Sequence, residues 1–236
     1  MESYFDDAYQ LFRSAKDEYE LFEKIASFAE RLGFEYCCYG IRMPLPVSKP
    51  TVAIFDTYPP GWMTHYHVNR FLDIDPTVRA GMRSADLIVW PQSTHDEAQR
   101  LWSDARDFGI KVGVAHPSWT THGAFGLLTM SRHADPLTPA EIEQLQMPAN
   151  WLSNVCHMLM SQFLQSKLAA EASIMLTARE REVLRWTGDG KTSYEIGKIL
   201  SISERTVNFH VNNVLSKLAA TNKVQAVVKA IATGLI

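Results

Sequence analysis

Between Ser203 and Leu218, side chains able to pair with nucleobase edges recur at helical spacing. On a helix of 3.6 residues per turn, Val207, Val211, Val214 and Leu218 share one narrow arc, and Arg205, Asn208, Phe209, Asn212, Asn213 and Ser216 lie opposite. An asparagine amide can pair twice with an adenine edge, and an exposed ring suits a thymine methyl. Phe209 carries most weight, because a large ring on a solvated face needs a partner; the competing reading packs it on another part of the chain. Thr206 belongs to the same DNA-facing set. Lys191, Thr192, Ser193, Arg205, Lys217 and Lys223 lie near helix ends, where they would grip phosphates. Taken singly, each reads more simply as a solvated surface residue.

No catalytic constellation emerges beside this face. His65 and His67 are two apart, about 200° around a helix, so they share no metal-binding side. Cys37 and Cys38 are adjacent and point to opposite faces of a strand. Asp135, Glu141 and Glu143 read as a capping and surface group. There is no phosphate loop, nucleophile elbow or zinc spacing. The expectation is a protein that is not an enzyme and holds neither metal nor cofactor.

The elements that would carry the Asn-rich face are marked by capping chemistry. Thr177-Ala-Arg-Glu180 and Thr192-Ser-Tyr-Glu195 are capping boxes, and Asn222-Lys-Val-Gln225 is an Asn/Gln version. Ser203 suits an N-cap. Gly190 and Gly234 stand where helices stop. These signals predict four helices over 178–188, 193–200, 204–218 and 223–233, the middle two joined by the Ser201-Ile202-Ser203 turn. That is a helix-turn-helix, whose second helix enters the major groove. Residues 174–236 hold nine Lys/Arg and five Asp/Glu, a balance of +4, which leaves −7 for 1–173. A basic module on an acidic one fits a nucleic-acid reader attached to something else.

Upstream, hydrophobic residues at 46% and charged residues at 21% of the chain describe an ordinary globular composition. No apolar run approaches the roughly 18 residues of a membrane span. The opening residues lack a secretory pattern, and the three cysteines are odd in number, so a cytoplasmic protein with reduced thiols is expected. The pattern predicts a helical segment over 4–32, strands over 34–43 and 51–57 around the PLPVSKP connector, and short helices and turns over 58–89. It then predicts a helix over 101–108 and a strand pair, 112–119 and 124–132, around Thr121-His122-Gly123. Thr138, Pro139 and Glu141 start a long helix running to about 164. The stretch 161–173 is the expected linker. On spacing alone, Trp62 and Trp90 are core or rim aromatics, and Asp75 before Pro76 is a cap.

Two parts of the chain resemble known families. The run from LTAREREVL to the C-terminus resembles the LuxR-type helix-turn-helix domain, with Glu180, Leu184, Gly190, Lys191, Glu195, Ile196, Ser203, Thr206, Val207, His210 and Lys217 on its pattern. YPPGWMTHY (58–66), DIDPTV (73–78), IVW (88–90), DFGIKVGV (107–114) and GAFGLLTMSR (123–132) resemble the ligand domain of acyl-homoserine lactone receptors, closest to those of Ralstonia and Burkholderia. The resemblance implies an α+β chain: an N-terminal α-β-α sandwich on an antiparallel sheet, and an all-α four-helix C-terminal domain. The domains would be 1–165 for the autoinducer, 166–175 as linker and 176–236 for DNA. It implies a quorum-sensing activator in the cytoplasm. That regulator would bind an N-acyl-homoserine lactone of medium, unsubstituted chain and act on palindromic double-stranded DNA as a homodimer with RNA polymerase. A response regulator sharing the DNA domain is the competing architecture. It would need a parallel receiver sheet, whereas these strands read as hairpins.

By the same resemblance, Trp62 donates to the lactone carbonyl and Asp75 accepts the amide N–H. Tyr58 and Thr129 donate to the acyl carbonyl, Trp90 packs beside the lactone, and Tyr66 walls the acyl channel. Ala115 stands where some members carry a hydroxyl. Thr77, Val78, Trp102, Ala105, Ile110, Phe125 and Leu127 complete the implied lining. The chemistry is coherent, since an amphiphile with one N–H and two carbonyls needs one acceptor and several donors in an apolar cavity. A carboxylate there loses hydration, so an incompletely formed empty pocket is expected.

Overall fold

The structure, a computed structural model, describes residues 2–91, 96–120, 123–133, 136–169 and 175–236. Two compact units result, one of 1–43, 51–120 and 124–167, the other of 44–50, 121–123 and 168–236.

The first unit is built on a hydrogen-bonded antiparallel sheet in the order β2-β1-β5-β4-β3. Its strands are β1 (Tyr36–Arg42), β2 (Val52–Asp56), β3 (Ile88–Trp90), β4 (Val112–Trp119) and β5 (Phe125–Arg132). Alternation sends successive side chains to opposite faces. On one face, Cys37, Tyr39, Ile41, Val114, Leu128 and Met130 meet helices α1 (Glu2–Arg13), α2 (Glu18–Arg31) and α6 (Pro139–Ala169). On the other, Trp90, Ala115, Phe125 and Leu127 meet α3 (Trp62–Val68), α4 (Pro76–Gly81) and α5 (Asp96–Asp107). This is the expected α-β-α sandwich, and Cys37 and Cys38 do part to opposite faces.

Three expectations need correction. The helical segment 4–32 is two helices, because Asp17 Oδ1 accepts from the Tyr19 and Glu20 N–H groups at 3.0 and 2.8 Å and caps a new start. Apolar periodicity simply continues across that break. Residues 88–89, expected among helices and turns, form β3 together with Trp90, and a three-residue strand is too short to show alternation. Helix α5 begins at Asp96, five residues before Leu101. Thr138 and Glu141 do form the expected reciprocal cap of α6, at 2.8 and 3.2 Å. Helix α6 continues to Ala169, into the stretch expected as linker. Residues 121–122, 134–135 and 170–174, parts of the expected hairpin turn, acidic group and linker, lie outside the described residues.

One polar network crosses the first core. His157 Nε2 donates to the Ala124 carbonyl at 3.2 Å, leaving Nδ1 to accept from Tyr39 Oη at 2.7 Å. Burial pushes the His157 imidazole down to about 4, so the ring is neutral at physiological pH.

The second unit holds α7 (Ala178–Gly188), α8 (Ser193–Leu200), α9 (Glu204–Lys217) and α10 (Lys223–Ala232). Both Thr/Glu capping boxes are present, and Ser203 Oγ accepts from the Thr206 N–H at 3.1 Å. The Asn222 box is only half formed. Asn222 accepts from the Gln225 N–H, but the Gln225 side chain accepts from the Thr221 N–H, one residue early. Ser201 adopts φ 55° and turns α8 into α9.

Candidate functional site

Strand β5 lays out one wall of the site on its own alternation. Phe125, Leu127, Thr129 and Ser131 share the face under α3, α4 and α5, with Thr129 level with Cys38 on β1 and Ala115 on β4. Trp62, Tyr66, Trp90, Trp102, Ala105, Ile110, Phe125 and Leu127 are buried together there, with Tyr58 and Val78 packed against them. Thr129 is half-buried. All thirteen implied ligand contacts therefore lie on this side of the sheet or in the helices covering it.

Asp75 is the acid of the site, and it does two jobs. Its Oδ1 accepts from the Thr77 N–H at 2.8 Å and from the Thr77 hydroxyl, capping α4. Its Oδ2 accepts from Tyr66 Oη at 2.9 Å. Burial lifts the carboxyl above the usual carboxylate range, and the Thr77 and Tyr66 donors pull against that. Three donors therefore already offset the lost hydration of this carboxylate. Thr77 serves by holding Asp75. A carboxylate oxygen offers two lone pairs, so Oδ2 can take one further donor.

Aromatic rings form the cover. Trp62 packs on Tyr58, Tyr66, Phe71 and Phe108 with centroids 5.4–6.5 Å apart. Trp90 stacks on Trp102 at 5.4 Å and 14°. Burial raises the Tyr58 and Tyr66 phenols well above their usual range, so both remain protonated donors. Outside the rings, His65 Nε2 donates to Asp104 Oδ2 at 2.7 Å, and Arg100 donates to Asn69 Oδ1 at 2.7 Å, fastening α3 to α5. Sequence reasoning missed Phe71, Phe108 and Ser131. Phe71 starts a three-residue 3-10 turn without periodicity, and Phe108 falls at the end of the helix expected over 101–108. Ser131 was within reach, two residues beyond Thr129 on an alternating strand.

The second unit presents the α9 face as the periodicity predicts. Val207, Val211, Val214 and Leu218 are buried, while Arg205, Asn208, Phe209, Asn212 and Ser216 are exposed. Phe209 is 60% exposed and, among the described aromatic rings, meets only His210. Asn213 and Thr206 are half-buried, and Lys191, Thr192, Arg205 and Lys223 are exposed. Two of the residues expected to grip phosphates also make contacts inside the domain. Lys217 Nζ lies 2.7 Å from the buried Glu180 Oε2, so its charge is used inside the domain. Burial pushes the Glu180 carboxyl up, but Lys217 and Thr177 outweigh this and hold it below its usual value. Ser193 is buried, donates to Asn208 Oδ1 at 2.7 Å and receives Lys223 Nζ at 3.0 Å, tying three helices. Asn208 thereby has its carbonyl engaged, whereas the Asn212 amide makes no hydrogen bond to any described residue.

Comparison with known proteins matches residues 17–160 to the autoinducer binding domain and residues 175–230 to the bacterial regulatory proteins of the luxR family. The transcriptional activator protein SolR of Ralstonia solanacearum is 70% identical over 236 residues, covering 100% of both chains. The structure of Escherichia coli SdiA in complex with octanoyl-rac-glycerol superposes with a TM-score of 0.82 at 34% identity, over 99% of this chain and 95% of that one. CepR2 of Burkholderia cenocepacia, described as an N-acylhomoserine lactone dependent LuxR family transcription factor, gives 0.62 at 31% identity over 67% and 94%.

Proposed function

Because this chain belongs to the LuxR-type family of autoinducer-binding transcription regulators, we propose that its ligand is an N-acyl-homoserine lactone held through Asp75. The observation that carries this reading is the unused acceptor capacity of Asp75 Oδ2 inside an otherwise apolar and aromatic enclosure. An amide N–H satisfies that acceptor, Tyr58, Thr129 and Trp62 supply donors for the carbonyls, and an acyl chain fills the space toward Phe125 and Leu127. CepR2 supports the choice by its description. The SdiA complex favours a second reading, an acylglycerol, whose hydroxyl would meet Asp75 in place of the amide. Expression with a mixed panel of acyl-homoserine lactones and monoacylglycerols, followed by mass spectrometry of the extracted ligand, separates the two. Recovery of acylglycerol alone would sink the lactone reading.

In this reading residues 1–165 receive the ligand, 166–175 link, and 176–236 bind DNA. The protein works in the cytoplasm as a homodimer that activates transcription with RNA polymerase, and no catalytic step is needed. Val224 and Ile231, 74% and 58% exposed on one side of α10, support pairing of the DNA-binding domains. Two copies of α9 then address half-sites one helical turn apart. Asn212→Ala is expected to weaken binding to the specific palindrome by about 1–3 kcal/mol and to leave random duplex binding unchanged. Fluorescence anisotropy on specific and scrambled duplexes, with ligand present, checks this; equal losses on both would assign Asn212 to phosphate or to the fold.

A further inference from the structure

Three buried donors on the site side of the sheet make no hydrogen bond to any described residue: Ser131 Oγ, Trp90 Nε1 and Trp102 Nε1. Ser131 has no exposed surface, and Trp90 and Trp102 retain only 4% and 8%. Buried donors without partners are uncommon in native proteins and call for an explanation.

Two of them converge. Gly113 pairs with Trp90 across β3–β4 and with Ser131 across β4–β5. A Cβ on Gly113 would lie 2.7 Å from Trp90 Cε2, the carbon bonded to Nε1. The Trp90 indole therefore lies over Gly113, with Cε2, the neighbour of Nε1, against it, and Ser131 is the next residue across the sheet. Cross-strand neighbours on one face stand about 4.5–5.5 Å apart at Cβ. Trp90 and Ser131 thus flank Gly113 on the same face of the sheet. Ser131 Oγ stands beside the Tyr58 oxygen without meeting hydrogen-bond geometry, close enough to hold the phenol down against burial yet still free to donate to a ligand.

The wall has a direction. Along β5 it runs Phe125, Leu127, Thr129, Ser131, from apolar to polar. Each step of two residues is about 6.6 Å. With the amide level with Thr129 and the acyl chain over Leu127 and Phe125, the opposite end of the ligand reaches Ser131. We infer that Ser131 Oγ–H and Trp90 Nε1–H form a second donor pair, which takes a ring ester oxygen of the ligand and makes the site selective for the head group. This inference rests on the lactone reading above.

Binding of N-octanoyl-homoserine lactone and of N-octanoyl cyclopentylamide, which keeps chain and amide but lacks the ring oxygens, tests it in the full-length protein. Ser131→Ala is expected to weaken lactone binding roughly tenfold, the value of one hydrogen bond, and to leave cyclopentylamide binding unchanged. Removing an unpaired buried hydroxyl should also leave the ligand-free melting temperature equal or higher. Ser131→Cys, of similar size with a weaker donor, should fall between wild type and Ser131→Ala. Equal loss for both ligands, or a lower ligand-free melting temperature, would overturn the inference and assign Ser131 to the fold or to a bound water. Wild-type protein that binds neither ligand would overturn the lactone reading itself, and this inference with it.

Discussion

Asp75→Asn is expected to cut ligand affinity about a hundredfold while leaving the fold intact. The two halves of that statement rest on different oxygens. Oδ1 caps α4 through Thr77, and asparagine caps as well as aspartate does. Oδ2 faces Tyr66 and the proposed ligand N–H. An amide nitrogen there still satisfies Tyr66, whose hydroxyl can rotate to accept. It meets the ligand N–H donor to donor. Hydrogen bonds to charged groups contribute about 1.5–3 kcal/mol, and the upper end of that range is roughly a hundredfold in affinity. A hundredfold loss removes about 2.7 kcal/mol of ligand-linked stabilisation. The ligand-free melting temperature should therefore stay near wild type while the ligand-induced rise collapses. Full ligand response in this variant would show that Asp75 only caps its helix.

That dual use of Asp75 shows where sequence reasoning reaches and where it stops. Asp before Pro announces a cap because capping is local, settled within two or three residues. The same logic made the second unit legible almost residue by residue. Thr177, Thr192 and Ser203 cap where their spacing says, and α9 buries the valines that its period selects. The candidate ligand site is a different kind of object. Trp62, Asp75, Trp90 and Thr129 come to one side of the sheet because β3, β4 and β5 lie side by side beneath α3 and α4. No local pattern encodes that meeting, and β3 left no alternation to read. Family resemblance supplied the residues, and geometry then added what resemblance did not name: the Tyr66 and Thr77 grip on Asp75, and the unpaired Ser131. In the DNA-binding unit, too, contacts between helices escaped the local reading: nothing in their own helices shows that Glu180 will face Lys217 or that Asn208 will face Ser193.

The separation of the two cores predicts opposite outcomes for two equivalent substitutions, Gly113→Ala and Gly126→Ala. Both glycines lie in the central hairpin, and both have φ in the range open to alanine. On Gly113 the added methyl would run into the Met130 carbonyl and the Trp90 ring. The carbonyl belongs to the β4–β5 ladder and yields little, so Trp90 must leave its place against Trp102. On Gly126 the methyl points to the opposite face and meets the His157 imidazole, with Cε1 only 2.9 Å away. Moving that ring strips Tyr39 Oη and the Ala124 carbonyl of their partner. Overpacking costs about 1–3 kcal/mol, and a buried polar group left unpaired adds about 1–3 kcal/mol more. Gly126→Ala is therefore expected to lose about 3 kcal/mol of stability or more, with ligand affinity unchanged in the molecules that remain folded. Gly113→Ala is expected to lose about 2 kcal/mol, together with the ligand-induced rise in melting temperature, because the displaced indole would occupy the ligand's space. Thermal melts with and without ligand distinguish the cases. If Gly126→Ala weakened ligand binding as much as Gly113→Ala, the two faces of the sheet would be coupled, and the placement of the site on the Trp90 face alone would fail.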